Sequence, residues 1–195
     1  MLARSKIAVI ILAAGQSTRM GKFNKLLVDF DGRPMIEKTL ESAVIACPGA
    51  VFVVTGHQSD EVRNALKNFD VRFVDNPDYR DGLSTSLKAG LRQLDEKFEG
   101  VLVMLADMPQ VGAEVLLLLI NNFDKPSDIC VPVCHGKQGN PVLWGRDYFD
   151  EILQLQGDRG AKELLKAHQA RVNGVAMDAD GVLRDFDSPA DFASL

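Results

Sequence analysis

Short apolar runs alternate with amphipathic stretches from one end of the chain to the other. The runs Ile7–Leu12, Val51–Thr55, Val71–Val74, Val101–Leu105, Ile129–Val133, Val142–Leu143 and Val172–Met177 each predict a strand. The first is apolar at consecutive positions, the pattern of a strand buried on both faces of a parallel sheet. Helices fill the gaps. Pro34 suits the first turn of one that runs to about Ala46, with Met35, Thr39, Leu40 and Ala43 facing inward. Ser59 or Asp60 is the expected cap of a helix to Leu66, and Ser84 or Thr85 of another to Leu94. Glu114 to Asn121 and Gly160 to His168 predict two more, and Asp178–Gly181 reads as a turn between two short strands. Such alternation predicts an α/β fold with a mainly parallel sheet. No repeat or long linker divides the chain, so one domain over 1–195 is expected.

Composition narrows the function. The 195 residues are 46% hydrophobic and 25% charged, enough for one sizeable core. A net charge of −5 opposes nucleic-acid binding, which needs a basic face to release counterions. Discrete Arg and Lys residues in an acidic chain suggest instead a local site for a small anion. Cys47, Cys130 and Cys134 do not form a disulfide framework, so a reducing cytoplasm is expected. Cys130-Val-Pro-Val-Cys134-His135 lacks the second Cys/His pair of a zinc site, and both thiols fall on one strand face as core residues. Val111–Ile120 is too short to span a bilayer, and Ile7–Ala14 runs into a turn unlike a signal-peptide cleavage region, so no membrane partner is expected.

The most informative segment follows the first strand: Leu12-Ala13-Ala14-Gly15-Gln16-Ser17-Thr18-Arg19-Met20-Gly21-Lys22-Phe23-Asn24-Lys25. Small residues let the backbone approach a large anion, its free N–H groups form an anion-binding nest, and Arg19 and Lys25 neutralise phosphate charge. A Walker A loop does not fit, because five residues separate Gly15 from Gly21 and Phe23 follows Lys22. A dinucleotide fingerprint does not fit either, with Ser17 where its second Gly belongs. The expected ligand is a nucleoside triphosphate.

This loop resembles the signature of nucleotidyltransferases that activate sugars, polyols and the molybdenum cofactor. Further segments match in order: Asn76-Pro77, Gly82-Leu-Ser-Thr-Ser86, Leu105-Ala-Asp107-Met-Pro109, Gly139-Asn-Pro141, Gly157-Asp-Arg-Gly160 and Asp185-Phe-Asp187-Ser-Pro189. Together they are similar to the MobA-like family, most of all to its molybdenum cofactor cytidylyltransferase branch. The resemblance implies a three-layer, Rossmann-like nucleotidyltransferase fold with a mainly parallel, mixed central sheet. It also implies a Mg²⁺ site on Asp107 and Asp187, with Lys25 on the phosphates.

In an open parallel sheet ligands bind beyond the carboxyl ends of the strands, where the loops after Leu12, Val74 and Leu105 begin. Asp107 there suits a hard cation or, alternatively, a cap for the helix near Val111. Asp187 suits either a second metal ligand or a helix start at Ser188-Pro189. Leu12, Ala13, Ala14, Gly15 and Gly21, with Gly82, Ser84 and Ser86, are the expected nucleotide-binding positions; a plain N-cap is the alternative for the serines. Family members that use GTP often carry Gly where Ala14 stands, so CTP is the favoured nucleotide. Asn140 and Arg159 are expected on the acceptor side, although Arg159 reads equally as a solvated charge and Asn140 stands where molybdenum cofactor enzymes often have His. The expected reaction is Mg²⁺-dependent transfer of CMP to molybdopterin with release of pyrophosphate, with a molybdoenzyme client as a further partner. Its rivals are a sugar- or polyol-phosphate nucleotidyltransferase and a non-catalytic, nucleotide-binding accessory protein that inserts a cofactor into a client.

Overall fold

The computed structural model describes residues 6–17, 24–157, 161–187 and 191. Strand β1 (Ile7–Ala13) is buried at every position, as its unbroken apolar run requires. It pairs in parallel with β4 (Val51–Thr55) on one side and β6 (Gly100–Leu105) on the other, so that Leu12 stands between Val54 and Leu105. Beyond β4 lies β5 (Arg72–Asp75), also parallel. Beyond β6 come β9 (Val142–Gly145), β7 (Ile129–Cys134) and β10 (Val172–Ala176), giving the order β10-β7-β9-β6-β1-β4-β5. Within that order only β9 opposes its neighbours, and the short β8 (Lys137–Gln138) pairs antiparallel with β7.

Helices flank this mixed, mostly parallel sheet in the Rossmann-like arrangement. Helix α1 (Met35–Ala46) packs on α4 (Ala113–Asn121), while α3 (Leu83–Leu91) lies over β1 and β4. Further helices among the described residues are α2 (Ser59–Ala65), α5 (Phe149–Leu153) and α6 (Lys162–Ala167). Because β4 and β5 lie to one side of β1 and β6 to the other, the topological switch falls between β1 and β6. Among the described residues no helix is long and apolar enough to cross a membrane. Cys130 and Cys134 are buried in β7, and burial together with the Asp128 and Asp124 charges pushes the Cys130 thiol up to about 12.

Several boundaries depart from the sequence reading. Pro34 does not sit inside α1; it ends β3 (Arg33–Pro34), the hairpin partner of β2 (Asp29–Phe30). The connecting Asp31-Gly32 has φ values of 55° and 86°, the left-handed pair that an Asp-Gly hairpin turn adopts. Helix α3 is capped not by Ser84 or Thr85 but by Gly82, at φ 106°, and it stops at Leu91, short of Leu94. Gln58, in the left-handed region, precedes α2, so neither Ser59 nor Asp60 caps it. After β10 the chain forms a 3₁₀ turn over Asp180–Leu183 rather than a second short strand. That turn is held instead by packing: Val182 is buried and its carbonyl accepts the Asn140 N–H at 2.9 Å.

One close contact sets how α3 lies on the sheet. A Cβ at Gly90 would meet Ile10 Cγ2 at 2.7 Å and Val54 Cγ2 at 3.0 Å, both on stiff, buried β-branched side chains. Gly90→Ala should therefore destabilise the protein by about 1–3 kcal/mol through overpacking, despite alanine's better helix propensity. Urea denaturation of the two proteins checks this; equal or higher stability in the variant would mean that the helix can move away from β1 at no cost.

Candidate active site

At the switch point the carboxyl ends of β1 and β6 are tied together, with the Ala106 N–H donating to the Leu12 carbonyl at 3.3 Å. Thr39 Oγ on α1 donates to the Ala106 carbonyl at 3.1 Å, which fixes the backbone that carries Asp107. Helix α4 has Gly112 at its N-cap, so Asp107 does not serve as that cap. The Phe186 N–H donates to the Asp107 carbonyl at 3.0 Å and brings Asp187 alongside. Phe186 is itself anchored, its ring meeting Phe30 of the β2–β3 hairpin edge-on at 5.4 Å.

Lys25 reaches the same point from the other side. Leu26 is buried in the core, and Asn24 Oδ1 accepts the Leu26 N–H at 3.1 Å, so a short 3₁₀ turn fixes the start of the lysine side chain. Ser17 Oγ accepts the Lys25 N–H at 3.2 Å and closes the loop back towards β1. The ammonium then lies 2.5 Å from Asp107 Oδ2 and 2.5 Å from Asp187 Oδ1.

The electrostatics of this clamp are unequal. Burial opposes the Lys25 charge, but Asp107 and Asp187 outweigh it and raise the lysine's pKa. For Asp107 burial is the larger influence and raises its pKa in spite of Lys25, with Asp187 adding to the rise. The second oxygen, Asp107 Oδ1, is buried and has no hydrogen-bond partner. Two carboxylates that share one ammonium, one of them with an unpartnered buried oxygen, fit a hard divalent cation by charge and donor type.

Around the clamp lies a cavity of about 380 Å³. Leu12, Ala14, Gly15, Lys25, Gly82, Ser86 and Asp107 all line it, so the structure brings these sequence-selected residues together. Ala13 is buried in β1 and Ser84 in α3, and neither lines the cavity. The reason for Ser84 is helical phase. With α3 starting at Leu83, residues 83 and 86 share a face one turn apart and residue 84 does not. Arg19 and Gly21 lie outside the described residues. Tyr79 and Arg80 also line the cavity, with the Arg80 guanidinium 5.5 Å from the centre of the Tyr79 ring, and no motif in the sequence had marked them.

A larger cavity, about 700 Å³, adjoins the first across Leu12, Leu83 and Leu105. Its lining is largely apolar, with Leu87, Val103, Val142, Trp144 and Leu165, and includes Asn140 together with Gln138, Glu163 and Asp185. Arg159 lies outside the described residues. The cations that α6 does place here are Lys162 and Lys166, one turn apart, which no motif in the sequence marks.

A mainly parallel sheet whose switch-point crevice joins a glycine-bearing loop, a half-buried lysine and two carboxylates can receive a phosphate chain and a divalent cation. The family model of the MobA-like NTP transferase domain matches residues 9–172, and the chain belongs to that family. It is 30% identical to the purine catabolism protein PucB of Bacillus subtilis, over 94% of this chain and 92% of that protein. It is 25% identical to the molybdenum cofactor cytidylyltransferase of Escherichia coli, over 96% of this chain and 94% of that protein. It matches the bifunctional protein GlmU of Sorangium cellulosum at 30% identity over 84% of this chain, but spans only 36% of GlmU. Among solved structures, a manganese complex of Rv0371c from Mycobacterium tuberculosis has 27% identity and a TM-score of 0.79, covering 97% of each chain.

The clamp makes a stability prediction that is independent of any reaction. Lys25→Met leaves Asp107, with a side chain only 14% exposed, beside Asp187 without its cation. The loss should be about 3 kcal/mol, the lower end for a broken buried pair. Adding Asp107→Asn to Lys25→Met should recover most of it. Denaturant titration of the single and double variants is the check, and strictly additive losses would show that the ion pair does not hold the two residues together.

Proposed function

We propose that this chain transfers a nucleoside monophosphate, CMP by preference, from a nucleoside triphosphate to a phosphorylated acceptor, with molybdopterin as that acceptor. The observation that carries this reading is the Lys25 ammonium held between Asp107 and Asp187 in the smaller cavity, beside a larger apolar one. An acceptor phosphate oxygen bonds to the α-phosphorus, the bond from that phosphorus to the bridging oxygen breaks, and pyrophosphate leaves. Asp107 and Asp187 would hold Mg²⁺, which neutralises charge on the α-phosphate and the departing pyrophosphate. Lys25 and the N–H groups of the Gly15 loop bind phosphate oxygens, while the two cavities orient the reactants. Positioning and electrostatics suffice for such a transfer, and no protein nucleophile is required.

The walls of the larger cavity support a flat ring system over a hydroxyl-rich acceptor. Val103 and Leu165, backed by the buried Leu87 and Trp144, give this cavity an apolar wall for a ring system, while Lys162 and Lys166 supply charge for an acceptor phosphate. The likeness to GlmU supports the rival reading of a sugar phosphate acceptor. Preference for CTP is supported by the fixed position of the Ala14 methyl. Ala14 is buried, lines the smaller cavity, and its carbonyl accepts the His57 N–H at 3.3 Å, so its methyl is held where a base would lie. Three buried free cysteines suit a reducing cytoplasm.

The test is a matrix of each nucleoside triphosphate against molybdopterin and several sugar and polyol phosphates, with pyrophosphate release as readout. CTP with molybdopterin should be fastest, chelation should stop release, and Asp107→Asn should reduce kcat on the order of 10²–10³-fold, as loss of a main charge-stabilising contact does. Ala14→Gly should bring the kcat/KM values for CTP and GTP closer together. Fastest turnover with a sugar phosphate would replace the acceptor, a wild-type preference for GTP would replace the base, and absence of metal-dependent release would leave the accessory role.

A further inference from the structure

We infer that Asn76 is a positioning residue that sets the hydrogen-bond polarity of Ser86, so that the Ser86 hydroxyl meets the nucleotide base as a donor. This rests on reading the smaller cavity as the nucleotide's seat. Asn76 follows β5, is 4% exposed, and is anchored by its own N–H to the Thr55 carbonyl at 2.8 Å. The orientation of its amide is unambiguous. Asn76 Oδ1 accepts the Asp78 backbone N–H at 3.1 Å, and a backbone N–H cannot accept, so the oxygen must face it. The NH₂ group is thereby directed to α3, where its two hydrogens go to Thr85 Oγ and Ser86 Oγ, each at 2.9 Å.

Both hydroxyls must then accept from Asn76, and each keeps one hydrogen to donate. Thr85 gives its hydrogen to backbone carbonyls, Gly82 at 2.8 Å or Asp78 at 3.0 Å, which fastens the start of α3. Ser86 is the different one: it is 4% exposed, lines the cavity with Leu12 and Ala14, and has Asn76 as its hydrogen-bond partner. Its hydrogen is left for the ligand. A donor fixed at this place selects an acceptor atom on the base, such as a pyrimidine carbonyl or an unprotonated ring nitrogen, and opposes a ring N–H or amino group presented there. A buried donor that meets another donor is left unpaired, which discriminates more strongly than a missing methyl.

Asn76→Asp tests this because it keeps the shape and reverses the polarity: a carboxylate accepts the Ser86 hydrogen and withdraws it from the ligand. Ser86→Ala removes the donor outright. Each should raise KM for CTP about tenfold, the scale of one hydrogen bond, with kcat nearly unchanged. Once Ser86 is Ala, Asn76→Asp should raise KM little further, and the same pattern should hold with 2′-deoxy-CTP. An Asn76→Asp penalty that is undiminished in the Ser86→Ala background would overturn the inference, because Asn76 would then act through the fold or through added charge. Loss of the effect with 2′-deoxy-CTP would overturn it in favour of a ribose contact. If Asn76→Asp does not fold, Ser86→Ala alone decides, and an unchanged KM for CTP rejects the donor. Failure of the wild-type protein to bind or turn over CTP, by contrast, would remove the CMP-transfer reading itself.

Discussion

The ammonium of Lys25, shared between Asp107 and Asp187, is the contact on which the arrangement of the site depends. Each partner comes from a different part of the chain: the loop after β1, the end of β6, and the segment beyond the last 3₁₀ turn. Without a cation between them, desolvation and mutual repulsion would oppose keeping both carboxylates charged at this point, one of them almost buried. The supporting contacts make sense as a frame for this meeting. Thr39 holds the strand end, Asn24 holds the lysine turn, and the Phe30–Phe186 contact brings the C-terminal segment down onto the sheet.

The same frame explains why two cavities of different character lie side by side. Leu12, Leu83 and Leu105 form their common border, one from each strand at the switch point and one from the start of α3. The smaller is lined by small residues, Lys25, Arg80 and Asp107; the larger joins aliphatic side chains and Trp144 to the α6 lysines, Glu163, Asp185, Gln138 and Asn140. The position of α3 sets both. It is held close to the sheet by Gly90, where no side chain intervenes, and its start is turned by Gly82 in a conformation that other residues rarely adopt.

The sequence was legible where local pattern and chemistry coincide. An unbroken apolar run announced β1, Lys25 stood out in the small-residue loop that follows it, and Asp107 stood out as a charge just beyond the end of a buried strand. The pairing of Cys130 and Cys134 on one face of a core strand was likewise readable from their spacing. Legibility failed where the outcome depends on a contact between distant segments or on one residue of phase. The choice between Ser84 and Ser86 turns on whether the helix begins at Leu83, which a glycine cap decides and a serine-rich string conceals. The β2–β3 hairpin had a usable signal in Asp31-Gly32, overlooked because Pro34 read so readily as a helix start. The facing of Lys162 and Lys166 onto an apolar cavity had no local signal at all, because exposed lysines one turn apart are ordinary on any helix.

If Lys25 occupies the place that a divalent cation takes between Asp107 and Asp187, then removing the lysine should open that place to metal in the free protein. Calorimetric titration of Mn²⁺ into the nucleotide-free wild type and Lys25→Met, with Lys25→Met/Asp107→Asn as control, measures this directly. Lys25→Met should bind Mn²⁺ more tightly than the wild type, and the double variant should lose that gain. Equal affinity in all three proteins would contradict the shared cation position.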